Sequence, residues 1–218
     1  STTHTSDFLT WWYHAHLLGE FPVSKVKIED IPKVIKEHFH INDDYLYFKN
    51  RGVELKHAEC VRQWYEYFNK PSGVIDVGCG RGAYMRYWEM MTTVKGIEPS
   101  KYAIDTKLCN SEIINSDILN LKNSGTELSN WSLITVLDVL EHIEERDLQT
   151  ALRIIYDMGR NFLFSIPFEG DPNLYNDPTH KIFKPKEWWI GQLINMGFKI
   201  KETPKDFYFA NQMVVATK

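Results

Sequence analysis

The stretch Gly73-Val74-Ile75-Asp76-Val77-Gly78-Cys79-Gly80-Arg81-Gly82-Ala83-Tyr84-Met85-Arg86-Tyr87-Trp88 decides how the rest of this 218-residue chain is read. Val74 to Val77 is a short, β-branched run, too brief for a buried helix and suited to a parallel strand covered on both faces. Glycines follow at 78, 80 and 82, and Ala83 to Trp88 reads as the start of a helix. Strand, glycine turn and helix form the first unit of a nucleotide-binding α/β sheet. Glycine tolerates positive φ and lets a ligand approach the backbone, while a helix start leaves N–H groups unpaired. A ligand site is therefore expected at the carboxyl end of this strand.

Glycine spacing narrows the ligand. A dinucleotide fingerprint reads G-x-G-x-x-G, with the pyrophosphate on the helix start. Here the pattern is G-x-G-x-G, and Asp76 stands two residues before the first glycine. A carboxylate at that point disfavours a pyrophosphate and suits an ammonium or sulfonium group. In this the chain resembles the class I S-adenosylmethionine-dependent methyltransferases, whose first motif is an acidic residue, an apolar residue and G-x-G-x-G.

Strand and helix signals then alternate. Val94 to Glu98 reads as a second strand, closed by Pro99-Ser100, with a helix through Tyr102 to Leu108. Glu112 to Ser116 is the third strand, and Asn120 to Asn130 a short helix plus loop. Leu133 to Leu137 is the fourth, followed by Asp138-Val139-Leu140-Glu141-His142 and a helix from Glu144 to Met158 with Leu148, Ala151, Leu152 and Ile155 on one face. Phe162 to Ile166 is the fifth, ended by Pro167. Such alternation implies a parallel sheet with right-handed crossovers. Pro167 to Lys184 is irregular and reads as a lid or binding loop. Pro185 opens a helix through Met196 with Gly197 as its stop. Phe198 to Glu202 and Phe207 to Ala216 close the chain as an antiparallel pair at the sheet edge. The expected architecture is a single doubly wound, Rossmann-like α/β domain. It has a mostly parallel seven-stranded sheet with an antiparallel C-terminal strand and helices on both faces. This ending is similar to the methyltransferase fold.

Ahead of the glycine turn, Ser6 caps a helix from Asp7 to Leu18, Asp30 caps a short one through Glu37, and a third runs from about Val53 to Phe68 with Ala58, Val61, Tyr65 and Phe68 at helical spacing. Residues 1–70 are read as an N-terminal helical cap of the same domain, and 71–218 as its methyltransferase-like body. His14 and His16 fall on different sides of their helix, so no metal pair is expected there. No metal site is expected elsewhere.

The resemblance also implies site residues. Asp76 with Gly78, Cys79, Gly80 and Gly82 lines the methionine part of S-adenosyl-L-methionine, and Glu98, beside Pro99, takes both ribose hydroxyls. Asp117 and Ile118 meet the adenine, and Leu137, Asp138 and Val139 sit beside the sulfonium. A carboxylate accepting from a vicinal diol makes chemical sense by itself, whereas Asp117 reads equally well as a turn former or cap. Glu141 and His142 match the family's Leu-Glu-His ending and double as an ordinary helix start. Asn176-Asp177-Pro178-Thr179-His180, with Trp188-Trp189 and Gly197-Phe198 beyond, resembles methyltransferases acting on small molecules, sugars and biosynthetic intermediates among them. It nominates His180, oriented by Asp177, as general base, with His142 its rival. The bland alternative is that Asp177 and His180 satisfy each other across a proline turn. Arg51 either meets the cofactor's carboxylate or is a surface residue.

Composition sets the remaining bounds. A net charge of -4 without a basic stripe argues against a long nucleic-acid substrate. Cys60, Cys79 and Cys109 are odd in number and lack C-x-x-C spacing, which fits a reducing, cytoplasmic setting. No run of about 18 apolar residues and no basic-then-apolar leader is present. The reading is a methyltransferase acting on an oxygen or nitrogen of a small-molecule acceptor. A nicotinamide-dependent oxidoreductase and a non-catalytic S-adenosylmethionine-binding sensor or partner subunit are the alternatives. No feature specifies an oligomeric state.

Overall fold

The computed structural model describes residues 57–121 and 128–218. The helices read within 1–56, Arg51, His14, His16 and the 122–127 part of the polar connection lie outside the described residues.

Seven strands form one sheet: β1 Gly73–Val77, β2 Thr93–Glu98, β3 Ile113–Asn115, β4 Trp131–Leu137, β5 Gly159–Ser165, β6 Lys199–Lys201 and β7 Met213–Thr217, in the order β3-β2-β1-β4-β5-β7-β6. The five strands from β3 to β5 run parallel, and β7 lies antiparallel between β5 and β6. The reversal of order falls at β1 and β4, so the crevice where ligands enter an open α/β sheet lies beside the glycine turn.

Period-two alternation sends each strand's side chains to two separate cores. Ile75, Val77, Ile134, Val136, Phe162, Phe164 and Val214 pack with α4, Leu148–Met158, and α6, Lys186–Met196. Val74, Leu133, Leu163 and Val215 pack on the other face against Cys60, Val61 and Trp64 of α1, helix 57–67, and Met85 and Trp88 of α2, Met85–Trp88. The shorter helices α3, Lys101–Asp105, and α5, Pro172–Asn176, complete the described set.

Helix limits follow local chemistry. Leu148, Ala151, Leu152 and Ile155 of α4 are all buried, as their spacing predicts. The helix starts at Leu148 rather than Glu144, because residues 145–147 form a 3₁₀ turn. Gly197 ends α6 at φ +113°, where Phe198 N–H returns to the Leu193 carbonyl. Behind the glycines the helix begins at Met85, not Ala83, since Gly82 at φ +79° is left-handed and the chain turns before it coils. Strand β7 starts at Met213, not Phe207. Phe209 takes φ +60°, and turn bonds link Phe207 to Ala210 and Phe209 to Gln212. No helix among the described residues is long and apolar enough to cross a membrane.

Leu152 is fully buried between α4 and the sheet. Leu152→Ala should lower stability by about 2 to 5 kcal/mol, read from urea unfolding, because the cavity closes only in part.

Candidate functional site

At the carboxyl end of β1 the chain turns through Gly78, Gly80 and Gly82 at φ +67°, +54° and +79°. Gly78 and Cys79 donate their N–H groups to the Ile97 carbonyl, which pins the turn to β2. A Cβ on Gly78 would lie 2.4 Å from a Val139 methyl, and one on Gly82 2.6 Å from the Cys109 sulfur. Both glycines are thus required by packing as well as by φ.

Glu98 ends β2 buried, with its carboxylate accepting from Gly80 N–H and from Ser100 N–H, both at 2.8 Å. Ser100 separately caps α3, accepting from Ala103 N–H. Each Glu98 oxygen receives one backbone bond and keeps a lone pair, which leaves two adjacent acceptor positions. Burial raises its pKa, opposed by those two N–H groups.

Asp76, 2% exposed, lies level with Thr135 of β4 on the same face, and the Thr135 hydroxyl donates to it at 2.7 Å. Burial pushes its pKa up to about 7; the Thr135 bond works the other way and the Glu98 charge adds to the rise. Thr135 was not singled out from the sequence. It is the lone polar residue of the run Leu133 to Leu137, and only the strand register shows that it meets Asp76.

The other residues expected at the cofactor differ in their surroundings. The Cys79 thiol points under the turn toward the space left by Gly96, so Cys79 contributes backbone rather than sulfur to the cradle. Burial holds that thiol well above its ordinary pKa. Pro99 is exposed and Leu137 half-buried. Asp117 accepts from Asn120 N–H and from the Asn120 amide, at 2.9 and 2.7 Å, so the turn-forming role is the one seen, and Ile118 is buried in the core. Asp138 is exposed at φ +54° and takes a hydrogen bond from the Ser165 hydroxyl, while Val139 packs on Gly78. A left-handed non-glycine residue at a strand end is strained backbone of the kind found at binding sites.

A second cluster stands directly beyond Val139. Leu140–His142 is a 3₁₀ turn, and Lys181 and Ile182 donate their N–H groups to the Glu141 carbonyl at 2.8 and 3.2 Å. The tract Pro167 to Lys184, read as irregular, contains α5 and is packed down through buried Phe168, Leu174 and Ile182. Thr179 donates its hydroxyl to Asp177 Oδ1 at 2.6 Å and lies 2.8 Å from His142 Nδ1. With its proton committed to Asp177, the threonine oxygen accepts from the imidazole N–H. Burial opposes charge on Asp177, but the Thr179 hydroxyl and N–H, aided by the two imidazoles, hold it below the ordinary carboxylate range.

His180, expected on a lid over the acceptor, has little of its side chain exposed. Its side chain is 6% exposed, Nδ1 lies 2.8 Å from the Leu174 carbonyl, and Nε2 is 3.9 Å from Asp177 and 3.8 Å from Glu141. Those last distances are too long for hydrogen bonds, so Asp177 holds Thr179 rather than His180. The Glu141 carboxylate is fully buried, and neither oxygen has a hydrogen-bond partner. Burial, reinforced by the Asp138 charge, pushes its pKa well above the usual range. The sequence reading treated Glu141 as a helix start; its burial depends on the docked tract.

A concavity of about 590 Å³ lined by Lys186, Ile190, Lys205 and Met213 opens at the β6–β7 edge, three strands from β1, and offers none of these groups.

No protein-family model and no curated protein matches the chain. Solved structures do. A SAM-dependent methyltransferase from Archaeoglobus fulgidus superposes with a TM-score of 0.61 at 20% identity, over 80% of this chain and 100% of that one. The magnesium protoporphyrin IX methyltransferase from Synechocystis PCC 6803, with bound SAH, gives 0.53 at 15% identity over 74% and 82%. The N-methyltransferase NodS from Bradyrhizobium japonicum WM9, in complex with S-adenosyl-L-homocysteine, gives 0.52 at 16% over 71% and 84%. The chain shares the fold of these enzymes.

The Asp76 shift gives a signed expectation. A folded pKa near 7 against an ordinary 3.8 means that this group favours the folded state at low pH. That contribution is complete below the ordinary value and is lost as pH rises through about 7. Asp76→Asn should flatten the fall of stability across this window, measured by urea unfolding at a series of pH values.

Proposed function

We propose that the chain is an S-adenosylmethionine-dependent methyltransferase acting on an oxygen or nitrogen of a small-molecule acceptor. One observation carries the reading: two buried carboxylates, Asp76 and Glu98, frame a turn of three left-handed glycines. Such a cradle repels a pyrophosphate and suits a cationic nucleoside. The donor set fits this cofactor. Glu98 keeps two acceptor positions for a vicinal diol, and Asp76 gains a counter-charge from an ammonium or sulfonium group. Residues 1–70 would then close the body formed by 71–218, as a cap on the same domain.

When bound, S-adenosylmethionine supplies a methyl group on a sulfonium leaving group, for one-step displacement by an acceptor lone pair. Glu98 would hold the ribose, and Gly80, held by that same carboxylate, would keep the turn open beneath the methionine part. Asp117 and Ile118 would border the adenine, and Leu137, Asp138 and Val139 would close the approach to the reacting methyl. Alignment and exclusion of water are the chief catalytic tasks left to the protein. An oxygen acceptor must also lose a proton, and the Asp177–Thr179–His142 relay with His180 stands beside Val139 where that proton departs. Asp177 acts here through Thr179, orienting the ring of His142. A small acceptor agrees with the net charge of -4 and with the carboxylates gathered at this end of the sheet.

Isothermal titration calorimetry should show binding of S-adenosylmethionine and its demethylated product but not of NAD. Glu98→Ala should weaken that binding by roughly 1 to 3 kcal/mol, because charge-assisted bonds to the ribose are lost. Stronger binding of NAD than of either sulfur nucleoside overturns the reading.

Once an acceptor is found by mass shift in a metabolite pool, His142→Ala and His180→Gln should each lower turnover by about 10² to 10⁴ with cofactor affinity nearly unchanged. Normal turnover in both variants would mean that alignment alone drives the reaction.

A further inference from the structure

We infer that Glu141, His142 and His180 form a binding site for a divalent first-row transition-metal ion of the zinc and cobalt type. One donor atom from each of the three lies within 4.8 Å of the others, with His180 Nε2 3.8 Å from Glu141 Oε1. Donors around a tetrahedral ion with bonds of about 2.0 to 2.1 Å stand roughly 3.3 Å apart, so small side-chain movements close the set.

Three further observations point the same way. The Glu141 carboxylate is fully buried with both oxygens unpartnered, a costly arrangement that a cation relieves. Both imidazoles are held through Nδ1, His180 by the Leu174 carbonyl and His142 by Thr179, itself bonded to Asp177. Metal-ligating histidines are oriented in this way, one ring nitrogen donating to a carbonyl or polar group while the other takes the ion. The two lysines of the docked tract turn elsewhere, Lys181 to Glu144 and Lys184 to Glu145, so no ammonium from this tract fills the position. Two imidazoles with a single carboxylate select borderline ions over magnesium or calcium, which prefer oxygen alone.

The role of the ion rests on the methyltransferase reading; its binding does not. An acceptor hydroxyl coordinated beside Val139 would have its pKa lowered. Its proton passes to water, the oxygen pair forms the bond to the methyl carbon, and the carbon–sulfur pair stays on sulfur. The histidines then act as ligands rather than as free bases.

The test uses the full chain, treated with EDTA and dialysed, without cofactor or acceptor. Titration with Co²⁺, followed by visible absorption and by zinc competition, should saturate at one equivalent, and about a thousandfold excess of Mg²⁺ should not displace the ion. Glu141→Gln and His180→Gln should each weaken cobalt binding by at least about 10²-fold while retaining the wild-type circular dichroism spectrum. A His14→Ala, His16→Ala variant should bind normally. Zinc should raise the melting temperature of the wild type but not of Glu141→Gln. No saturable cobalt binding up to millimolar, or full binding in both ligand variants, overturns the proposal. Retained cobalt binding with no affinity for S-adenosylmethionine would instead overturn the methyltransferase reading alone.

Discussion

The candidate site depends on the Glu98 carboxylate bridging two backbone N–H groups, that of Gly80 in the glycine turn and that of Ser100 at the start of α3. A buried carboxylate is costly unless its lone pairs are engaged. Here two charge-assisted bonds from the backbone fix the turn relative to the end of β2. The left-handed glycine turn is also pinned to β2 by the Gly78 and Cys79 N–H groups on the Ile97 carbonyl, and Val139 packs on Gly78.

Two hydrophobic cores, one on each face, hold the sheet so that its carboxyl ends can carry polar groups. Asp76 and Thr135 lie on the face that packs against α1 and α2, at adjacent positions of neighbouring parallel strands. Their hydrogen bond satisfies one lone pair and opposes the burial that pushes the Asp76 pKa up to about 7.

The cluster beyond Val139 is built differently. Its groups come from a 3₁₀ turn after β4 and from a tract 35 to 40 residues further on, brought together by backbone bonds from Lys181 and Ile182 to the Glu141 carbonyl. Docking of the tract buries Glu141 and brings Thr179 onto His142, while His180 is held within the tract by the Leu174 carbonyl. The relative placement of the two rings is therefore set by this contact.

Much of this architecture was legible in the chain itself, because its signals are local. Alternating β-branched strands and helical stripes indicated the doubly wound sheet, and Leu148, Ala151, Leu152 and Ile155 are buried as their spacing required. The G-x-G-x-G run with Asp76 two residues ahead identified the cradle, since positive φ at glycine and a carboxylate at a strand end are properties of adjacent residues. Tertiary structure decided what depends on distant partners. Strand register paired Asp76 with Thr135, and docking of residues 177–182 buried His180. The same docking gathered Glu141, His142 and His180 into one cluster. Hydrophobic periodicity carries no information on which buried polar groups meet, because that is settled by the relative placement of elements far apart in sequence.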